Sequence, residues 1–415
     1  MQKVNKTAEL YINNYFKRFA SRKPIIDQPI NSTCGLIIVI PCYNEPDLIG
    51  TLNSLTSCYP PSFPIEVIIV VNQSEITDLE VRVQNLRTIE AFKKWNGSIK
   101  HQNLDFHLIE ALDMPKKHAG VGLARKTGMD EALRRFDAIG IDGTIGCLDA
   151  DCRVSKNYLT EIEEKFGKSN AGLGEVHFEH QFKLERNEKL RKGIINYELF
   201  LYYYVEGLKQ AGFPFAIQTI GSCMLVKAST YAKHGGMNKR KAGEDFYFLH
   251  KIIPHEAFIE INDATVYPSC RTSDRVPFGT GKAQQDWLDE GSDDYLTYDP
   301  RVFKELRVLI DAVDQFFEYR LEAIIEQLPK IPRTFVQTYG YEGKINLIKS
   351  NCKNLEQFRK QFFIWFDGFL CMKFVHFVRD NYFENIPIQL AVQRLMKTEG
   401  DCQSMLEDIR VKVRS

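Results

Sequence analysis

The sequence predicts an α/β fold, with parallel strands and intervening helices in the first part and a helical region at the end. Three observations predict it. Gly35-Leu-Ile-Ile-Val-Ile40 and Ile65-Glu-Val-Ile-Ile-Val-Val71 are nearly continuous apolar runs, the pattern of strands buried on both faces. A helix-like stretch, Pro46 to Ser57, lies between them, which makes a right-handed parallel crossover. From Pro300 onward the pattern changes to long helical segments, near 301–328, 354–384 and 387–412.

The elements follow in order. Residues 1–33 read as a helical arm and linker. The first strand ends at Pro41, and the second follows the turn Tyr59-Pro-Pro-Ser-Phe-Pro64. Phe106 to Ile109 is a candidate strand. Gly120 to Phe136 is a helix with Leu123, Ala124, Met129 and Leu133 on one face. Thr144 to Leu148 is a short strand that stops at an acidic pair. The first 150 residues therefore form a doubly wound unit. Residues 151–299 alternate helices and short strands, with a helix at Glu188 to Gly207 and strands at Ile217 to Val226 and Ile259 to Val266. The expected divisions are 1–33, 34–299 (halves 34–151 and 152–299) and 300–415.

Composition excludes some functions. Lys+Arg and Asp+Glu are equal at 54 each, and a nucleic-acid binder normally carries a basic surplus. The ten cysteines form no Cys-x-x-Cys pair, which argues against zinc and for a reducing, cytoplasmic compartment. The N-terminus lacks the apolar core of a signal peptide. Phe362 to Val378 is the most apolar stretch, but it is short for a membrane span and is interrupted by Asp367 and Lys373. It reads as a buried helix, with peripheral membrane contact through 358–383 as the alternative.

Five segments can carry chemistry. Asp149 and Asp151 flank Ala150 where a strand ends, and ligands of open α/β sheets bind at the carboxyl ends of strands. Two carboxylates there suit a hard divalent cation, Mg²⁺ or Mn²⁺. Pro41, Tyr43, Asn44 and Glu45 form a loop that either contacts a nucleotide or is plain turn chemistry. Lys117, Gly120 and Arg125 surround a helix N-terminus, where backbone N–H groups and basic charge suit an anion. Glu244 and Asp245 follow Gly235-Gly236 and either cap a helix or supply a general base. The loop Cys270 to Gly281 carries Arg271 and Arg275, and Lys282 follows. Its guanidinium groups match phosphate oxygens, and its glycines permit a hinge.

Taken in order, these segments resemble the inverting glycosyltransferases of family 2, over about residues 35–285. Pro41, Tyr43, Asn44 and Glu45 match the opening motif. Asn72 stands where the family often has Asp, which leaves the base open. Gly120, Gly122, Ala124, Arg125 and Gly128 match the glycine stretch, Asp149 and Asp151 the DxD motif, and Gly235, Gly236, Glu244 and Asp245 the acceptor loop and catalytic pair. The resemblance implies a GT-A fold with a C-terminal helical addition, a nucleotide-binding half at 34–151 and an acceptor half at 152–299. It implies a donor such as a UDP-, GDP- or dTDP-sugar, Mg²⁺ or Mn²⁺ on Asp149 and Asp151, and Asp245 as general base with Glu244 orienting the acceptor. Pro41, Tyr43, Asn44, Glu45, Asn72, Lys117, Gly120, Arg125, Asp149, Arg271, Arg275 and Lys282 would bind the donor. The acceptor, a glycan, lipid or small molecule, stays open, as does a retaining outcome. A nucleotidyltransferase would carry glycines in the first loop, and Pro41 to Pro46 has none. A sugar-nucleotide-binding protein without catalysis is the remaining rival.

Overall fold

The computed structural model describes residues 3–98, 103–273, 275, 279–291 and 294–414. Its contacts divide the chain into two compact units. The first comprises residues up to Glu185 and Thr219–Lys282, together with Arg414. The second comprises Arg186–Gln218 and Ala283–Val413.

The first unit is built on one eight-stranded sheet. Its strands are β1 (Leu36–Cys42), β2 (Ile65–Ser74), β3 (Leu104–Met114), β4 (Thr144–Cys147), β5 (Arg153–Val154), β6 (Leu173–Phe178), β7 (Met224–Lys227) and β8 (Phe258–Tyr267). Their order is β3-β2-β1-β4-β7-β6-β8-β5. The first four are parallel, with Leu36 opposite both Ile65 and Thr144. β7 runs antiparallel to β4 and to β6. Every residue of β1 is buried, as the continuous apolar run requires. The helices α1 (Lys6–Arg18), α2 (Leu48–Thr56), α3 (Leu79–Ser98) and α4 (Val121–Ile139) accompany this half of the sheet.

The helical arm expected within 1–33 is α1, which buries Ala8, Ile12, Tyr15 and Phe16. The structure corrects several expectations. Pro41 does not end β1, which runs on to Cys42. The strand expected at 217–226 exists only as Met224–Lys227, after a single 3₁₀ turn at Gly221–Cys223. The boundary expected at 299/300 also shifts. The helix Glu188–Gln210 belongs with the second unit, because its buried face packs there. Gly207, for example, lies so close to Phe303 that a Cβ on it would sit 2.4 Å from that ring.

The second unit is helical, with one two-stranded ribbon pairing Leu296–Thr297 to Ile386–Pro387. The long segments expected here are broken. The stretch 301–328 is three helices, Arg301–Asp311, Val313–Glu318 and Leu321–Gln327. The stretch 354–384 is two, Leu355–Trp365 and Gly368–Asn381, bent by 68°. The break comes at Asp367, whose carboxylate accepts the Leu370 N–H at 3.0 Å and caps the second helix. Among the described residues no single helix is long and apolar enough to cross a membrane, although this bent pair is by length and composition. Its apolar side chains are largely used internally, since Phe362, Phe366, Cys371, Phe374, Val375 and Val378 are all buried.

Candidate active site

The acidic pair stands where the sequence puts it, just beyond β4. Asp149 and Asp151 are both partly exposed, while Ala150 between them is buried. The Ala150 carbonyl accepts the Thr51 hydroxyl at 2.7 Å, which ties this turn to α2. Arg153 donates to the same hydroxyl at 3.2 Å.

Neither carboxylate stands alone. Asp149 Oδ1 is paired with Arg125 Nη2, and Asp151 Oδ2 with Arg271 Nη2 at 3.2 Å and Arg275 Nη2 at 3.3 Å. Burial and the Asp149 charge push the Asp151 carboxyl above its usual range, against the pull of the two arginines.

Arg271 and Arg275 also grip Glu45, which has no exposed surface. Arg271 Nη1 donates to Glu45 Oε1 at 3.1 Å, and its Nη2 pairs with Oε2. Arg275 Nη1 donates to Glu45 Oε2 at 3.3 Å and to the Tyr43 carbonyl at 3.0 Å. Glu45 is thus a buried counter-ion to both arginines. Residues 274 and 276–278 of the expected lid lie outside the described residues. Lys282 sits in the first turn of the helix Thr280–Glu290.

The opening loop is held by a residue that sequence reasoning missed. Asn85 of α3 is fully buried; its Oδ1 accepts the Asn44 N–H at 2.9 Å and its Nδ2 donates to the Asn72 carbonyl at 3.2 Å. Asn44 is left-handed, with φ of 50°, a conformation asparagine tolerates. Asn72 is buried, and its side-chain Oδ1 has no hydrogen-bond partner among the described residues. The one advance sign of Asn85 is a lone amide on a helix, which says nothing of the strand end it supports.

The anion site expected at the start of α4 is differently built. Lys117 is exposed in the turn before the helix. Gly120 lies against the backbone of Lys241, since a Cβ on it would be 2.8 Å from Lys241 Cα. Arg125 is buried, with 2 % of its surface exposed. Its Nη1 donates to Glu244 Oε1 at 2.7 Å. Burial opposes its charge, but Asp149 and Glu244 outweigh that and hold it as a cation.

Glu244 and Asp245 open the helix Glu244–Ile252. They differ in access: Glu244 is buried against Arg125, while Asp245 is partly exposed. Burial and the Asp245 charge push Glu244 up to about 7, against Arg125. Burial raises Asp245 as well.

The sequence pattern of the family described as Glycosyl transferase family 2 matches residues 37–229. Those residues are a family 2 glycosyltransferase domain. The chain is a transferase enzyme, and its domain spans β1 through β7, with Asp149 and Asp151 inside the match and Glu244 and Asp245 beyond it. No curated protein matches the chain. Among solved structures, S. aureus TarS 1–349 in complex with UDP-GlcNAc is 13% identical, with 78% of this chain and 89% of that chain covered and a TM-score of 0.41. S. aureus TarS 1–349 in complex with UDP is 12% identical, with 88% and 93% covered and a TM-score of 0.36. Likeness at that level says nothing of the activity or ligand of this glycosyltransferase domain.

Proposed function

We propose that this glycosyltransferase moves a sugar from a nucleotide-diphospho-sugar to an acceptor hydroxyl in one inverting, metal-assisted displacement. The observation that carries the reading is the Arg125 bridge, which brings Asp149 of the acidic pair and the Glu244-Asp245 pair to one place. Asp245 takes the proton from the acceptor hydroxyl. The acceptor oxygen then bonds to the anomeric carbon as that carbon's bond to the diphosphate oxygen breaks, and the nucleoside diphosphate leaves with the electron pair.

The donor set suits Mg²⁺ or Mn²⁺. The arginines engage Asp149 through Oδ1 and Asp151 through Oδ2, so each carboxylate keeps a second oxygen outside those ion pairs. Mg²⁺ commonly takes one or two carboxylates and completes its shell with phosphate and water. When bound, the cation would neutralise charge on the departing diphosphate. Asp149 and Asp151 would hold it.

Asn72 Oδ1 supports a nucleobase that offers a ring N–H, as uracil, thymine and guanine do, because a buried acceptor without a donor costs about 1–3 kcal/mol. The test is a panel of UDP-, GDP- and dTDP-sugars with Mn²⁺. Binding is followed by thermal shift, nucleoside diphosphate release by assay, and the product's anomeric configuration by NMR. An unchanged melting temperature and no release with every donor would remove the proposal, and a retained configuration would remove the inverting part.

A further inference from the structure

Arg125 is a buried cation whose two ends serve different motifs. Nη1 donates to Glu244 Oε1 at 2.7 Å and Nη2 pairs with Asp149 Oδ1, while Nε has no partner among the described residues. An unpaired charge at this depth would cost several kcal/mol, so the side chain is committed to both carboxylates. Its place is hollowed out by Gly221, where a Cβ would lie 2.0 Å from Nη1. The arginine projects from α4, Asp149 lies in the turn after β4, and Glu244 begins the helix Glu244–Ile252. These three segments therefore meet at one planar group of fixed width.

We propose that Arg125 is a positioning residue that fixes the separation of the donor-side carboxylate Asp149 from the proton acceptor Asp245. The assignment rests on the function proposed above. Glu244 precedes Asp245 in the first helical turn, so anchoring Glu244 fixes the backbone from which Asp245 projects. Asp245 itself makes a local bond within this turn, its Oδ1 accepting the Phe246 N–H at 2.8 Å. On this assignment Glu244 acts through Arg125 and never touches the acceptor. A lysine in place of Arg125 keeps the charge but lacks the planar fork that holds two carboxylates at once.

The test uses Arg125→Lys and the milder Glu244→Gln, read first by amide hydrogen exchange on the full chain. The bridge predicts that Glu244→Gln raises exchange in the turn 148–153 as well as in 244–252, although the two are far apart in sequence. Exchange altered in 244–252 alone would overturn the proposal, whether or not the enzyme turns over any donor tried. With an active donor, Arg125→Lys should lower kcat by about 10²-fold while donor KM stays within about threefold, as expected when reacting groups are misplaced by about an ångström. The double variant should be no worse than Arg125→Lys, since both break one bridge. Independent, multiplying effects, or a normal kcat beside a lowered melting temperature, would reduce Arg125 to a structural residue. Failure of every donor in the wild type would count against the function alone, because the exchange result stands without it.

Discussion

The Tyr15 hydroxyl donates to Asp130 Oδ1 at 2.6 Å, joining α1 to α4 inside the protein. The same oxygen of Asp130 accepts from Tyr231 at 2.7 Å, and Lys126 Nζ lies 2.5 Å from the Tyr15 hydroxyl. All four side chains are buried. A segment that reads as an appendage is thus wired into the domain. Tyr15→Phe should destabilise the protein by about 1–3 kcal/mol, because it leaves part of a buried polar network unsatisfied. Urea unfolding measures this, and a midpoint equal to wild type would show the network to be dispensable. Gly236→Ala should cost at least as much. Its φ is 68°, and a Cβ would lie 2.2 Å from the Tyr15 hydroxyl.

Asp245→Asn should lower kcat by about 10²- to 10⁴-fold, the usual contribution of general acid–base catalysis, and leave donor affinity nearly unchanged. Isothermal titration with the active donor's nucleoside diphosphate, beside steady-state rates, separates the two effects. Full activity would take Asp245 out of the mechanism.

The pH profile follows from the same pair. A base must be ionised, so activity falls as pH drops through its pKa. Both carboxyls are raised, Glu244 to about 7, so the acid limb of kcat should lie well above the ordinary carboxylate range of about 4. Glu244→Gln removes the adjacent negative charge and frees Arg125 to act on Asp245. Both changes favour ionised Asp245, so the limb should move to lower pH. A limb that stays in place would mean that another group governs it.

Arg271 and Arg275 are expected to stabilise the fold chiefly through Glu45. Arg271→Ala should cost about 1–3 kcal/mol in the native background, since Glu45 has no exposed surface and loses a charged partner. In a Glu45→Gln background the same substitution should cost clearly less. A double-mutant cycle by chemical denaturation gives the coupling. Equal costs in both backgrounds would mean that the ion pair contributes nothing.

In the helical unit, Arg410 holds Glu198 through two bonds of 2.7 Å, and Glu198 has no exposed surface. Arg410→Ala should cost about 3–5 kcal/mol, the range for a buried pair broken on one side. Thermal unfolding would register it. A loss below about 1 kcal/mol would place this pair with ordinary surface ion pairs.

The sheet was legible where burial dictates composition. β1, β2 and β4 announce themselves because a strand covered on both faces is built mostly of apolar residues. The helix α4 and the acidic turn after β4 were legible for similar reasons. What escaped was set by partners distant in sequence. Glu45 reads as a nucleotide contact, and its pairing depends on two arginines 226 and 230 positions away. Arg125 reads as a phosphate ligand, and its burial depends on carboxylates 24 and 119 positions away. The breaks of the helical segments depend on local caps such as Asp367, too small a signal to outweigh a long apolar pattern.

The chain passes between the two compact units after Glu185, after Gln218 and after Lys282, and again after Val413, since Arg414 belongs to the first. The helical unit therefore takes one helix from the middle of the chain, between β6 and β7, and the rest from beyond residue 282. A cut at residue 283 would strand the helix Glu188–Gln210, with Glu198 parted from Arg410 and Gly207 from Phe303. The two units are interleaved in the chain, and neither can be swapped, grafted or inherited as a continuous cassette.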